Sequence, residues 1–236
     1  MSLPVAILAG GLATRLRPLT EQIPKSLVDV AGKPFVVRQL ELLGSRGVRR
    51  VVLCVGHLGE MVEREIGSGA RWGIDVRYSF DGETLLGTGG ALKRALPLLG
   101  ESFFVLYGDS YLDCDYARVA QAFAESGKLG LMTVFENRDR WDRSNVLFEE
   151  GQIRAYDKRN PTPAMRHIDY GLGVLSRRVL DGYPAGEAVD LAAVYEELVR
   201  RDQLAGFEVN RRFYEIGSPE GLAETREYFV RKESRV

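Results

Sequence analysis

The sequence predicts an α/β fold, a mostly parallel sheet covered by helices on both faces. Apolar runs of strand length alternate with amphipathic stretches of helical period through the first 136 residues. Their order is β-loop-α-β-α-β-loop-α-β-α-β. Several of these strands stop at glycines, at Gly10-Gly11 and again at Gly108-Asp109. The chain is also long enough for one large core, with 236 residues, 45% hydrophobic and 28% charged.

Taken in order, Val5-Ala-Ile-Leu-Ala9 is a buried strand that breaks into a loop carrying Arg15, Arg17 and, after Pro24, Lys25. Residues 30–35 turn, and Pro34 suits a first helical turn. A helix over 35–43 puts Val36, Leu40 and Leu43 on one face and Arg38 and Glu41 elsewhere, with Gly44 and Gly47 closing it. Strands follow at 51–55 and 74–80, separated by a helix over 58–66 that ends at Gly67. The glycine-rich stretch 81–91 feeds a helix over 91–98. A strand over 102–107 ends in Gly108-Asp109-Ser110, then come a helix over 116–125 and a strand over 129–136.

The second part changes character. Strands 145–149 and 152–156 flank Glu150-Gly151 as a hairpin. Residues 160–163 are irregular, and 167–175 form another strand. Asp190 N-caps a helix over 190–200. Strands 204–209 and 212–216 are expected to pair around Asn210-Arg211. The last helix starts at Ser218 and runs to about Arg231. No linker, repeat or low-complexity segment divides the chain.

Net charge is −1, from 32 basic and 33 acidic residues. No global basic field points to nucleic acid or an anionic membrane. Only six of the basic residues are Lys, so a lysine inside a glycine- and proline-punctuated loop stands out. Cys54 reads as a buried small hydrophobe and Cys114 as part of a polar loop. Neither has zinc spacing, and a reducing cytoplasm is the expectation. No signal peptide is expected ahead of strand 1. No apolar run reaches the roughly 18 residues of a membrane span.

The opening loop combines what a polyphosphate site requires. Glycines let backbone N–H groups approach phosphate oxygens, and fixed cations neutralise the charge. The plainer alternative is an ordinary βα turn with solvated arginines. Known phosphate loops do not fit: Gly10-Gly11 are followed by Leu-Ala-Thr-Arg rather than G-x-G-x-x-G, and Gly32-Lys33 is followed by Pro34 rather than Ser or Thr. Asp109 at a strand's carboxyl end is either a turn residue or a Mg²⁺ ligand, since that ion takes few protein carboxylates. Leu86-Gly-Thr-Gly-Gly90 is either a closely packed helix start or a flat platform for a nucleobase. His57 and His167 read as structural or solvated, and Arg138–Arg143 as a solvated loop.

The string as a whole resembles the signature of the sugar-1-phosphate nucleotidylyltransferases, Gly-Gly-x-Gly-Thr-Arg-Leu-x-Pro-Leu-Thr followed by Pro-Lys-Pro. It is matched at Gly10, Gly11, Thr14, Arg15, Leu16, Pro18, Leu19, Thr20, Pro24 and Lys25. Ala13 stands for a family Gly and Ser26 for a family Pro. The resemblance implies a Rossmann-like three-layer αβα sandwich with a mostly parallel mixed central sheet, of the nucleotide-diphospho-sugar transferase type. It implies one domain over 1–236, with a nucleotide-binding half (1–136) and a sugar-binding, lid-like half (137–236).

By the same resemblance, Arg15 and Lys25 are the catalytic cations, and Leu8, Ala9, Gly10, Gly11, Thr14, Glu83, Gly87 and Thr88 bind the nucleotide. Asp157, Lys158 and Gly171 hold the sugar phosphate, the last in Asp169-Tyr-Gly-Leu-Gly173, where the family has Asn-Ala-Gly. Asp109 and Glu215 bind Mg²⁺, with Glu215 in place of a more usual Asp.

The implied substrates are an NTP and a sugar 1-phosphate. The sugar-side motifs look most like the D-glycero-D-manno-heptose 1-phosphate guanylyltransferase subgroup, in cell-surface polysaccharide biosynthesis. Uridylyl or thymidylyl transfer to an N-acetylmuramate- or glucose-type sugar 1-phosphate is the alternative, as is a non-catalytic nucleotide-sugar sensor. No C-terminal β-helix is expected after the last helix. Oligomeric state stays open between monomer and homodimer.

Overall fold

The computed structural model describes residues 2–234; Met1, Arg235 and Val236, which the expected domain span includes, lie outside the described residues. The strands and helices are β1 Val5–Leu8, β2 Asp29–Val30, β3 Lys33–Pro34, α1 Phe35–Ser45, β4 Arg50–Val55, α2 Gly59–Ile66, β5 Asp75–Phe80, α3 Gly87–Leu99, β6 Ser102–Tyr107 and β7 Ser110–Tyr111. They continue with α4 Tyr116–Ser126, β8 Gly130–Glu136, β9 Val146–Glu149, β10 Gln152–Tyr156, β11 His167–Ser176, α5 Leu191–Arg200, β12 Leu204–Glu208, β13 Tyr214–Glu215 and α6 Pro219–Glu233.

A nine-stranded mixed sheet forms the middle layer. β5, β4, β1 and β6 run parallel in that spatial order. β11 then pairs antiparallel with β6 on one side and with β8 on the other, and β12 adds parallel to β8. The β9–β10 hairpin joins through β11.

Alternation along the central strands sends side chains to two cores. Val5, Ile7, Val51, Leu53, Phe104 and Leu106 pack under α1, α2 and α4. Ala6, Val52, Cys54, Phe103 and Val105 pack under α3 and α5 on the opposite face. A third cluster, with Leu16, Val28, Phe35, Ile216 and Phe229, docks α6 beside the opening loop.

Most elements fall where the sequence puts them. Asp190 caps α5, accepting from Ala192 N at 3.0 Å. Two expectations are corrected. Residues 204–209 and 212–216 do not pair with each other. β12 extends the main sheet while β13 pairs with β7. Between them Phe213 is buried against Phe135 and Tyr170, which carries the chain away from β12. Helix α3 begins at Gly87 rather than Ala91, and its first turn is packed so closely that a methyl would clash with Val189 O at Gly87, the Val189 side chain at Gly89 and Glu187 O at Gly90.

Cys114 lies in the loop between β7 and α4, as expected, with its side chain buried. Arg38 lies off the Val36-Leu40-Leu43 face of α1, as expected, and is 4% exposed there. Its guanidinium donates to the carbonyls of Val30 and Ala31, pairs with Glu233 and lies over the Phe229 ring. His57 is exposed, and His167 Nε2 lies 3.2 Å from Glu208 Oε1. Among the described residues no helix is long and apolar enough to cross a membrane.

Candidate active site

Parallel pairing brings three strand ends together. Leu8 is in register with Cys54 on one side and Tyr107 on the other. The chain continues past them as Ala9-Gly10-Gly11, Gly56 and Gly108-Asp109. The ends are tied by Ala9 N donating to Cys54 O at 2.8 Å and Gly108 N donating to Leu8 O at 3.0 Å. A methyl on Gly56 would sit 2.7 Å from Gly10 O, so these two segments approach as only glycine allows.

Over the ends lies a cavity of about 230 Å³. Its walls include Leu8, Ala9, Gly10, Gly11, Lys25, Gly87, Thr88 and Asp109, all expected at a site, and also Ser26, Asp81 and Tyr107. In the opening loop Ala13 is left-handed, with φ +50°. This explains why a glycine suits that position, and the alanine is strained there. Thr20 Oγ1 donates to Ala13 O at 2.8 Å and holds the turn.

Lys25 Nζ lies 2.7 Å from Asp109 Oδ2. Burial pushes the Asp109 carboxyl up, but the Lys25 ammonium together with hydrogen bonds from the Ser110 hydroxyl and Asp109's own backbone N–H outweighs it, and the group stays below the usual carboxylate range. Glu215, distant in sequence, reaches the same place through the β7–β13 ladder. Ser110 is in register with Glu215, and Ile216 N donates to Asp109 O at 2.9 Å.

The Glu215 carboxylate accepts from Gly217 N and from Ser218 Oγ, and Thr225 Oγ1 donates to its carbonyl at 2.7 Å. A methyl on Gly217 would lie 2.7 Å from Glu215 Oε2, 3.1 Å from Asp109 Oδ2 and 3.2 Å from Arg15 Nη2. Two carboxylates and a guanidinium therefore face one small space that a glycine leaves open. A methyl on Gly221 would collide with Glu215 Oε1, so α6 starts with room for the longer acid.

No group of three His, Cys, Asp or Glu among the described residues is arranged to hold a metal. Asp109 and Glu215 are hard oxygen donors facing one space. They fit an ion that keeps phosphate oxygens and waters as its other ligands.

On the side of Gly87 the acid in the wall is Asp81, which sequence reasoning passed over in favour of Glu83. Asp81 is 5% exposed, and burial raises its carboxyl pKa against the opposing pull of Leu86 N–H and Arg94. Glu83 is exposed and outside the lining, because it falls on the outer bend of the loop. Thr14 is exposed and outside the lining as well. The Thr88 hydroxyl accepts from Leu191 N at 2.8 Å, tying the glycine loop to the start of α5.

Beside Tyr107, β11 and the turn after β10 flank the cavity without lining it. Lys158 is exposed, with its ammonium 5.3 Å over the Tyr107 ring. Asp157 Oδ1 accepts from Arg159 N at 2.8 Å and Asn160 N at 2.7 Å, which fixes the turn that presents Lys158. Gly171 is left-handed, with φ +95°, and its N–H donates to Asp169 Oδ1 at 3.0 Å.

Asp169 is the second acid the sequence did not single out for a role. Burial raises its pKa, with Lys158 pulling the other way. Its Oδ2 and the Tyr156 hydroxyl are buried without partners. Both acids have a sequence signal: Asp81 ends a strand, and Asp169 sits two residues before a left-handed glycine.

With this geometry in place, the comparisons with known proteins converge. Residues 5–145 match the family model described as nucleotidyl transferase. The chain is similar to the mannose-1-phosphate guanylyltransferase catalytic subunit beta of Xenopus tropicalis, 32% identical over 219 residues, covering 90% of this chain and 61% of that protein. The chain thus spans about three fifths of the length of that relative.

It is also similar to the N-acetylmuramate alpha-1-phosphate uridylyltransferase of Neisseria meningitidis serogroup B, 30% identical over 216 residues, covering 90% of this chain and 92% of that protein. Among solved structures it resembles HddC from Yersinia pseudotuberculosis complexed with GMP-PN, at 26% identity and TM-score 0.80, covering 96% of this chain and 99% of that one.

Proposed function

The chain belongs to the nucleotidyl transferase family, and on that footing we propose that it transfers a nucleotidyl group from an NTP to a sugar 1-phosphate, releasing pyrophosphate. The observation that carries this reading is the meeting of Lys25, Asp109, Glu215 and Arg15 at the mouth of a glycine-walled cavity. In this reading residues 1–136 form the nucleotide half and 137–236 the sugar half of one domain, at work in the cytoplasm.

The sugar phosphate enters already ionised, so no general base is needed. One of its oxygens attacks the α-phosphorus in line, a P–O bond forms, and the bond to the β-phosphate breaks with pyrophosphate leaving. Catalysis is alignment and charge neutralisation. Leu8, Ala9, Gly10, Gly11, Thr14, Gly87 and Thr88 hold the nucleotide, with Asp81 as the acid on the base side. Arg15 takes the developing charge of the pyrophosphate. Lys25 neutralises the α-phosphate and the incoming phosphate. Asp157, Lys158 and Gly171 hold the sugar phosphate. Asp109 and Glu215 hold Mg²⁺, which when bound supplies a clamp on the triphosphate charge.

The base and sugar read best as guanine and a manno-configured sugar, D-glycero-D-manno-heptose 1-phosphate first. Support comes from the similarity to a mannose-1-phosphate guanylyltransferase and to a structure complexed with GMP-PN. Uridylyl transfer to an N-acetylmuramate-type sugar is the second reading, favoured by a relative that the chain covers almost end to end.

The test is pyrophosphate release across GTP, UTP, dTTP and CTP against a panel of sugar 1-phosphates. Release is expected with GTP and a heptose or mannose 1-phosphate. No release with any pair, from protein that binds nucleotide, would favour a nucleotide-sugar sensor.

A further inference from the structure

Gln39 lies on α1, 2% exposed, and is used by none of the steps above. Its Nε2 donates to Tyr107 O at 3.2 Å and to Ser110 O at 2.8 Å. Those two carbonyls bracket Gly108-Asp109, the turn that presents the Asp109 carboxylate. The amide must point this way, since only its nitrogen can donate to two carbonyls. The consequence is that Gln39 Oε1 is buried with no partner. An orphaned buried acceptor is unfavourable, and a leucine would fill the same space without one. Packing therefore does not explain a glutamine here, whereas the two donated hydrogen bonds do.

The turn is gripped from other directions too. Gly108 N donates to Leu8 O at 3.0 Å, and Ile216 N donates to Asp109 O at 2.9 Å. Ser110 is also the residue in register with Glu215. A side chain fixing the carbonyls of Tyr107 and Ser110 thus fixes the peptide planes by which the chain enters and leaves the Gly108-Asp109-Ser110 turn, and with them the start of the ladder that carries Glu215.

We propose that Gln39 is a positioning residue: it holds the Asp109 turn at both ends and so sets the angle between the Asp109 and Glu215 carboxylates that a divalent cation needs. This rests on the reading of those two carboxylates as a metal site. Groups behind first ligands act by orientation, and their loss weakens metal binding without touching the metal.

The test is a Mn²⁺ titration of the full chain followed by electron paramagnetic resonance, with and without GTP, on the wild type, Gln39→Met and Gln39→Glu. Methionine keeps the volume and removes both donors. Mn²⁺ affinity should fall roughly ten- to a hundredfold, while GTP affinity in EDTA stays within about twofold, a split that general loosening of the fold would not give. Gln39→Glu should rescue partly at pH 6, where a protonated carboxyl donates once, and less at pH 8.

Wild-type Mn²⁺ affinity in both folded variants overturns the proposal. So does loss of fold in both, which would make the residue purely structural. If only Gln39→Met fails to fold, the pH-dependent rescue in Gln39→Glu decides. Wild type that binds Mn²⁺ but releases no pyrophosphate with any substrate pair sinks the catalytic reading and leaves the Gln39 comparison standing.

Discussion

The two walls of the cleft are halves of one sheet, yet they are made of different material. On the parallel side, β1, β4 and β6 end in glycines, and the surface offered is largely main chain: Ala9, Gly10, Gly11, Gly87 and Gly108. On the antiparallel side, beside the cavity, the turn after β10 and strand β11 offer side chains, with Lys158 above Tyr107 and Asp169 close to Tyr107, Tyr156 and Tyr195. Backbone N–H groups are the same whatever the residue, so a wall made of them fits what all nucleotides share. A wall of side chains changes its chemistry by substitution without moving a strand. The relatives' names share nucleotidyl transfer and differ in both the base and the sugar.

Four experiments press on this contrast. The largest effect belongs to the loop cation. Arg15→Ala should lower turnover by about a thousandfold, as removal of a charge-stabilising group does, with an unchanged circular dichroism spectrum. Near-normal turnover would end the view that the parallel side carries the reaction.

Next is Gly217→Val, which fills the space between Glu215, Asp109 and Arg15. Activity should drop by roughly a hundredfold, and added Mg²⁺ should not restore it, because the obstruction is steric. Recovery at high Mg²⁺ would show that the two carboxylates do not share one ion.

Lys158→Met should raise KM for the sugar 1-phosphate by about tenfold while leaving KM for the NTP within twofold, given that a charge-assisted bond to phosphate is worth about 1.5–3 kcal/mol. Equal changes in both constants would erase the boundary between the walls.

The smallest effect concerns Asp169. Its folded pKa is raised, so between the unfolded value near 4 and the raised value the native state binds the extra proton, and stability falls as pH rises. Asp169→Asn removes that loss. Its melting temperature should exceed the wild type's by about 2–4 °C at pH 7, with the difference shrinking toward pH 4. A difference independent of pH would mean that the carboxyl is not held by burial.

Legibility in the sequence follows the same division. The strand-glycine-cation string from Leu8 to Lys25, the Gly108-Asp109 turn and the Gly87–Gly90 loop are contiguous, and contiguous features can be read along a chain. Glu215 was reached only through a resemblance, because its partnership with Asp109 exists across a ladder of two residues per strand. Gln39 looked like one more polar residue on a helix, and no periodicity distinguishes an amide facing solvent from one facing two carbonyls. Asp81 lines the cavity and Glu83 does not, because a loop's inner and outer faces are set by the turn, not by distance to the motif. The false 204–216 hairpin had good local turn chemistry. It failed because Phe213 finds more apolar contact with Phe135 and Tyr170 than a hairpin would have supplied.

The β7–β13 ladder also imposes an order on biosynthesis. A nascent chain emerges amino end first, and β1, β4, β5 and β6 can pair among themselves as they appear. Asp109 is then already seated at the end of β6, beside Lys25. Glu215, the glycine that leaves space for it and the helix that docks against the opening loop all follow β12, the last strand of the main sheet, along the chain. The entropic cost of closing so large a loop grows slowly, by only about 0.6 kcal/mol per doubling, so lateness costs little stability. It does mean that a ribosome-bound fragment holds a nearly complete sheet with one carboxylate in place. The second is added only after the last strand of that sheet has been made, so the two carboxylates come to face one space in a single later step.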